Sequence, residues 1–192
     1  VKSLAYMKGM QDNGLLASAK HFPGHGDTDV DSHYGLPVLN FSKKRLIDVE
    51  LYPFKKLIDQ GLGSIMVAHM EIPVFDSQPN SPSSLSKPIV TDLLKNEMGY
   101  EGLVFTDALN MQAVAKFYPP GEVDARALIA GNDMLLNTMN VPAAIKAIKA
   151  AVMRGEISNE EIDRRVLKVL KAKAWLGLGS WEPVETEHLI DD

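Results

Sequence analysis

Four short stretches of the chain are mostly apolar and carry polar side chains at or near their ends: residues 15–22, 64–69, 102–107 and 133–137. Strands with one wet face alternate polar and apolar positions. Apolar runs of this length without that alternation mark strands covered on both faces, the pattern of a parallel sheet under helices. Segments of helical period lie between and around them. Residues 42–60 place Leu46, Val49, Phe54, Leu57 and Ile58 at helical spacing, with Gly61 as the stop. Ser86-Lys87-Pro88 starts a second helix, closed at Met98-Gly99, because proline is tolerated in a first turn. Residues 142–154 carry Ile145 and Ile148 and stop at Gly155. Ser158-Asn159-Glu160-Glu161 then reads as a capping box ahead of Ile162, Val166, Val169 and Leu170, in a helix stopping near Gly177. The chain opens within a further helical stretch over 4–10.

The strand candidates begin about 30 to 50 residues apart, the spacing of successive βα units, and no two-residue hairpin signal separates them. The class is α/β. Both an eight-stranded barrel and a doubly wound sheet are compatible with that order. A complete barrel takes ~250 residues, so four units are about half of one. Past Ser180 the chain is acidic and without period, which predicts a tail or linker.

Composition narrows the function classes. A 45% hydrophobic, 23% charged chain of 192 residues has enough apolar side chain for one sizeable core. No apolar run approaches the ~18 residues of a membrane span. A net charge of -5 supplies no basic field for nucleic acid. With no cysteine, disulfides, thiolate nucleophiles and thiolate-bound zinc are excluded, while the compartment stays open.

Chemistry concentrates just past the first strand, in the run Lys20-His21-Phe22-Pro23-Gly24-His25-Gly26-Asp27-Thr28-Asp29-Val30-Asp31-Ser32-His33. Any one of these histidines could be ordinary loop polarity. The cluster stands where α/β folds bind ligands, at the carboxyl ends of strands. A metal could use His21, His25 and Asp27, but glycine and proline forbid the helical His pair of metalloproteases. A calcium loop at Asp27, Asp29 and Asp31 fails for want of a glutamate at its twelfth position, which is Val38. Acid–base work remains. Asp31 and His33 are two apart, close enough for the carboxylate to orient the imidazole. Asp107, at the polar end of the third run, is the candidate nucleophile, although it could instead cap a helix over 108–115. His69, at the end of the second run, would face the same mouth or be a buried core histidine.

The motif Lys20 to Gly26 followed by Asp31-Ser32-His33 resembles the signature of glycoside hydrolase family 3, in its β-N-acetylglucosaminidase (β-N-acetylhexosaminidase) subgroup. Phe105-Thr106-Asp107 with Leu109 and Met111 is similar to that family's nucleophile segment, and Met66 to His69 and Ala130 to Met134 match further strand-end motifs. The resemblance implies a (β/α)8 TIM-barrel-type fold of which this chain carries about the last four βα units. On that basis residues 1–179 form the carboxyl half of the barrel and 180–192 an acidic tail or linker. It implies a retaining glycosidase without cofactor that removes terminal β-linked N-acetylglucosamine, typically from cell-wall muropeptide fragments. Asp107 would be the nucleophile, His33 oriented by Asp31 the acid and base, and Lys20, His21 and His69 would contact the sugar. Ala108 stands where many members have a second Asp. The family's first barrel strands, an early sugar-binding Asp and an Arg have no counterpart here. The expectation is therefore a half-barrel completed by self-association or by an amino-terminal segment. Two alternatives stay open: a metal-dependent hydrolase on a similar barrel, and a non-catalytic sugar-binding fragment.

Overall fold

The computed structural model describes residues 2–28, 34–180 and 182–183. Helix α1 (Lys2–Gln11) leads into β1 (Ser18–Phe22). Then come α2 (Lys43–Arg45), a π-helical turn (Leu46–Glu50) and α3 (Leu51–Ile58), which together form the helix expected over 42–60. Strand β2 (Ser64–Val67) is followed by a 3-10 turn (Ser83–Leu85) and a π helix (Pro88–Glu97). Strand β3 (Leu103–Ala108) leads to the short α4 (Gln112–Ala115) and to α5 (Glu122–Ala130). Strand β4 (Met134–Leu136), α6 (Val141–Met153), α7 (Asn159–Trp175) and a 3-10 turn (Leu178–Ser180) complete the order.

The four strands form one parallel sheet in the order β1-β2-β3-β4. Ser64 is level with Ser18 and with Leu103, and Val67 with Phe22 and Thr106. Burial of the central strands is complete on one face only. Ile65, Val67, Val104 and Thr106 share that face and are wholly buried, whereas on the other face Ser64 and Leu103 are buried but Met66 and Phe105 only partly, and Lys20 on β1 and Leu136 on β4 are exposed. Beside β1, between α1 and α3, runs an open groove of ≈ 910 Å³ lined by Tyr6, Met10, Leu16 and Leu57 among others.

The main core joins Phe22, Ile65, Val67 and Val104 of the sheet to Leu51 and Phe54 of α3 and to Ile89, Val90 and Leu94 of the π helix. Phe22 and Phe54 meet edge to face at 5.2 Å. A smaller cluster, Leu109, Val114, Val123 and Ala127, lies under the β3–α5 connection. Helix α5 was not legible in the sequence. Its N-cap is Gly121 at φ 89°, whose backbone N–H is accepted by Asp124 at 2.9 Å, rather than a hydroxyl or amide side chain. The expected cap of α7 is present, with Ser158 Oγ accepting from the Glu161 N–H at 3.1 Å.

At the amino-terminal end of β3 and β4, the buried Asp133 carboxylate gathers three donors. It accepts from the Val104 N–H at 2.9 Å, from Lys95 at 3.2 Å and from Lys168 at 2.7 Å. Arg165 of α7 lies alongside and donates to the Leu128 carbonyl and, at 2.8 Å, to the Asn132 carbonyl, closing the carboxyl end of α5. Helix α7 is thus tied to the sheet through its cations.

Candidate active site

The carboxyl ends of β1, β2 and β3 stand side by side, and three of the expected site residues sit on them. Asp107 is within β3, one residue from its end, and does not cap a helix: α4 begins later, with Met111 as its N-cap. The Asp107 Oδ1 accepts the Ala108 N–H at 2.8 Å, and its Oδ2 lies 3.8 Å from His21 Nε2, too far for a hydrogen bond. Its side chain is 15% exposed and that of His21 32%, so both can be reached from solvent.

His21 is on β1. The peptides Lys20–His21 and Phe22–Pro23 are both cis. His25 stands edge to face with His21 at 6.0 Å and shares a 2.7 Å hydrogen bond with the Thr28 hydroxyl. The loop holding these residues is pressed onto the helix behind it. A Cβ at Gly24, where φ is 136°, would come within 2.8 Å of Glu50 Cβ, so only glycine fits there. Arg45 anchors the same loop, donating to Asp27 at 3.0 Å and to Glu50 at 2.8 Å while stacking on Phe41 at 4.6 Å. Arg45 and Glu50 were not singled out from the sequence. Arg45 lies 18 positions beyond the Asp27 it holds, in what reads as an ordinary amphipathic helix.

His69 takes the buried core position that is the other reading of its place in the sequence. It is wholly buried, its Nε2 lies 3.0 Å from the Ala108 carbonyl and its Nδ1 2.6 Å from Ser84 Oγ. Neither ring nitrogen is left for a sugar hydroxyl. Burial holds the imidazole below its ordinary pKa, against the raising influence of the Ala108 carbonyl and Asp107, while His21 adds to the lowering. The ring is therefore neutral, with Nε2 donating to Ala108 and Nδ1 accepting from Ser84. Lys20 is exposed at the open edge of β1. Asp31 and His33 lie outside the described residues. Among the described residues no three metal-type ligands converge, and Asp27, one of the candidate ligands, is engaged with Arg45.

A carboxylate with one oxygen held by a backbone amide and the other open toward an imidazole, at the mouth end of a parallel sheet, is equipped to meet an electrophilic carbon. Residues 2–172 match the family described as Glycosyl hydrolase family 3 N terminal domain. The chain belongs to that family. Its sheet is accordingly part of a TIM-barrel-type fold. A Beta-hexosaminidase A of Pseudoalteromonas piscicida is 33% identical over 192 residues, covering 90% of this chain and 32% of that protein. Beta-hexosaminidase LpqI of Mycobacterium tuberculosis is 36% identical over 177 residues, covering 88% of this chain and 45% of that protein. The solved structure of a glycoside hydrolase family 3 β-N-acetylglucosaminidase from Paenibacillus sp. str. FPU-7 superimposes with a TM-score of 0.90 at 38% identity, over 98% of this chain and 37% of the other. The chain thus spans between a third and a half of the length of these relatives.

Proposed function

We propose that this chain carries the catalytic machinery of a retaining glycoside hydrolase that removes terminal β-linked N-acetylglucosamine, with cell-wall muropeptide fragments as the natural substrate class. The observation that carries the reading is the Asp107 carboxylate, held on one side by Ala108 N–H and open on the other beside His21. The names of the hexosaminidase relatives support the sugar.

In this reading Asp107 Oδ2 attacks the anomeric carbon from below while His33, oriented by Asp31, protonates the leaving oxygen. The covalent glycosyl-enzyme is then opened by a water that His33 deprotonates, and the product keeps its β configuration. An imidazole with an ordinary pKa of ~6.5 can serve as acid and then as base near neutral pH. His21 and Lys20 donate to sugar hydroxyls on the approach side. The remaining barrel strands, from a second copy or an amino-terminal segment, complete the sugar pocket across the exposed edges of β1 and β4.

The test is hydrolysis of para-nitrophenyl N-acetyl-β-glucosaminide by the protein and by its Asp107→Ala variant, with the anomer formed first read by NMR. Turnover confined to the wild type, with retention, is the expected result. Turnover that survives in the variant overturns the reading. Sugar binding without turnover would indicate a binding fragment, and activity abolished by chelator and restored by metal would indicate a metal-dependent hydrolase.

A further inference from the structure

We propose that His69, set by Ser84, is a positioning residue that fixes the end of β3 and so aims the Asp107 carboxylate, without touching the sugar. The proposal rests on the reading of Asp107 as nucleophile.

The backbone around His69 is braced on both sides by the 3-10 turn. Ser83 Oγ donates to the Ala68 carbonyl at 2.5 Å and accepts the Met70 N–H at 3.2 Å, and the Ser83 N–H reaches the Met70 carbonyl at 2.7 Å. The Ser84 N–H adds a bond to the Ala68 carbonyl at 3.1 Å. Ser84 is itself held, since Asn132 donates from Nδ2 to its carbonyl at 2.7 Å. The imidazole therefore projects from a rigid seat.

What it holds is the peptide that ends β3. The Ala108 carbonyl accepts His69 Nε2–H at 3.0 Å, and the N–H of the same peptide, on Leu109, reaches the Leu136 carbonyl of β4 at 2.9 Å. With both polar groups of that peptide engaged, Ala108 is held from its carboxyl side, and its own N–H meets Asp107 Oδ1 at 2.8 Å. One carboxylate oxygen is fixed through this chain of bonds and the other is left pointing toward His21. The neutral ring matters electrostatically as well. A donor that carries no net charge orients the strand end without pairing with the carboxylate that must attack.

Three variants and a spectrum test this. In wild-type protein, two-dimensional 1H–15N spectra of the histidine ring should report an Nε2–H tautomer for His69 that does not titrate near pH 6.5. His69→Leu and Ser84→Ala should each lower kcat about 10- to 100-fold with little change in KM, because misplacing a reacting group raises the barrier without weakening sugar contacts. His69→Gln, whose amide nitrogen reaches close to the position of Nε2, should restore most of the rate. Thermal melts of all three identify any variant that fails to fold, and the 13C signal of the Asp107 carboxyl should shift in folded His69→Leu. The proposal is overturned by an Nδ1–H ring, by a ring that titrates normally, or by an unchanged kcat in the folded variants. A raised KM at constant kcat would also overturn it and would make His69 a sugar contact. If wild type is inactive but the tautomer is as stated and the Asp107 signal shifts in His69→Leu, the nucleophile reading fails and the positioning role stands. An unshifted signal there defeats the positioning role.

Discussion

Asp107 and Asp133 lie at opposite ends of adjoining strands and are treated in opposite ways. Asp133, with its side chain fully buried, is met by two ammonium groups and a backbone N–H; Asp107, partly exposed, has a single backbone N–H and a histidine beyond hydrogen-bond reach. The first arrangement engages both carboxylate oxygens in holding β3, β4, the π helix and α7 together. In the second, Oδ2 accepts no hydrogen bond among the described residues. In barrel-type folds the amino-terminal end of the sheet carries stability and the carboxyl end carries chemistry, and on the proposed function these two carboxylates divide those tasks.

The sharpest way to break this contrast is substitution at the two sites. Asp107→Asn should cut turnover by roughly 10³-fold or more while leaving the urea midpoint almost unchanged, because no buried partner is orphaned. A large loss of stability instead would place Asp107 with Asp133 as a structural residue. Asp133→Ala should lower unfolding free energy by about 3–5 kcal/mol, since it leaves Lys95 and Lys168 facing each other without their counter-ion. A loss under about 1 kcal/mol in urea titration would mean the cluster is hydrated and adds little.

Titration offers a smaller effect. Burial holds Lys95 down to about 8 from its ordinary 10.5, outweighing the pull of Asp133, with Lys168 and Arg165 pushing the same way as burial. Because the folded pKa is depressed, the unfolded chain binds more protons than the folded one between those values, and stability rises with pH there by up to about 1.4 kcal/mol per unit. The slope should be measured between pH 8 and 9.5, below the range where ionisation of the buried Tyr100, raised by burial, opposes it. Lys95→Met should flatten it, and an unchanged slope would assign the effect to another group. His69 gives the acid counterpart. Its depressed pKa means stability is complete above about pH 6.5 and declines as pH falls below that. The exposed pair Lys55–Asp59, one turn apart on α3, is the control: Asp59→Ala should change stability by about 0.5 kcal/mol or less.

Much of the sheet was legible along the chain. The runs at 64–69 and 102–107 became β2 and β3 nearly as read, because the inner strands of a parallel sheet under helices are mostly apolar. The prediction overran β2 by two residues, since Ala68 and His69 are as buried as a strand while the Ala68 carbonyl turns to Ser83 and Ser84. Helix α5 was missed because its start depends on Gly121 and Asp124 instead of a recognisable capping side chain. The segment Ser81-Pro82-Ser83-Ser84 reads as featureless loop, and nothing local shows that its hydroxyls brace His69.

Sequence alone determined the order of βα units, the cluster on the loop after β1, and the placing of Asp107 at a strand end. These follow from periodicity and spacing, which depend only on neighbours along the chain. Tertiary structure decided that His69 is wholly buried with both ring nitrogens engaged, that Arg45 and Glu50 hold the loop, and that Lys95, Asp133, Arg165 and Lys168 form one cluster. Each of those outcomes turns on which distant group fills the last hydrogen-bonding position of a buried side chain, and that is settled only when the elements pack.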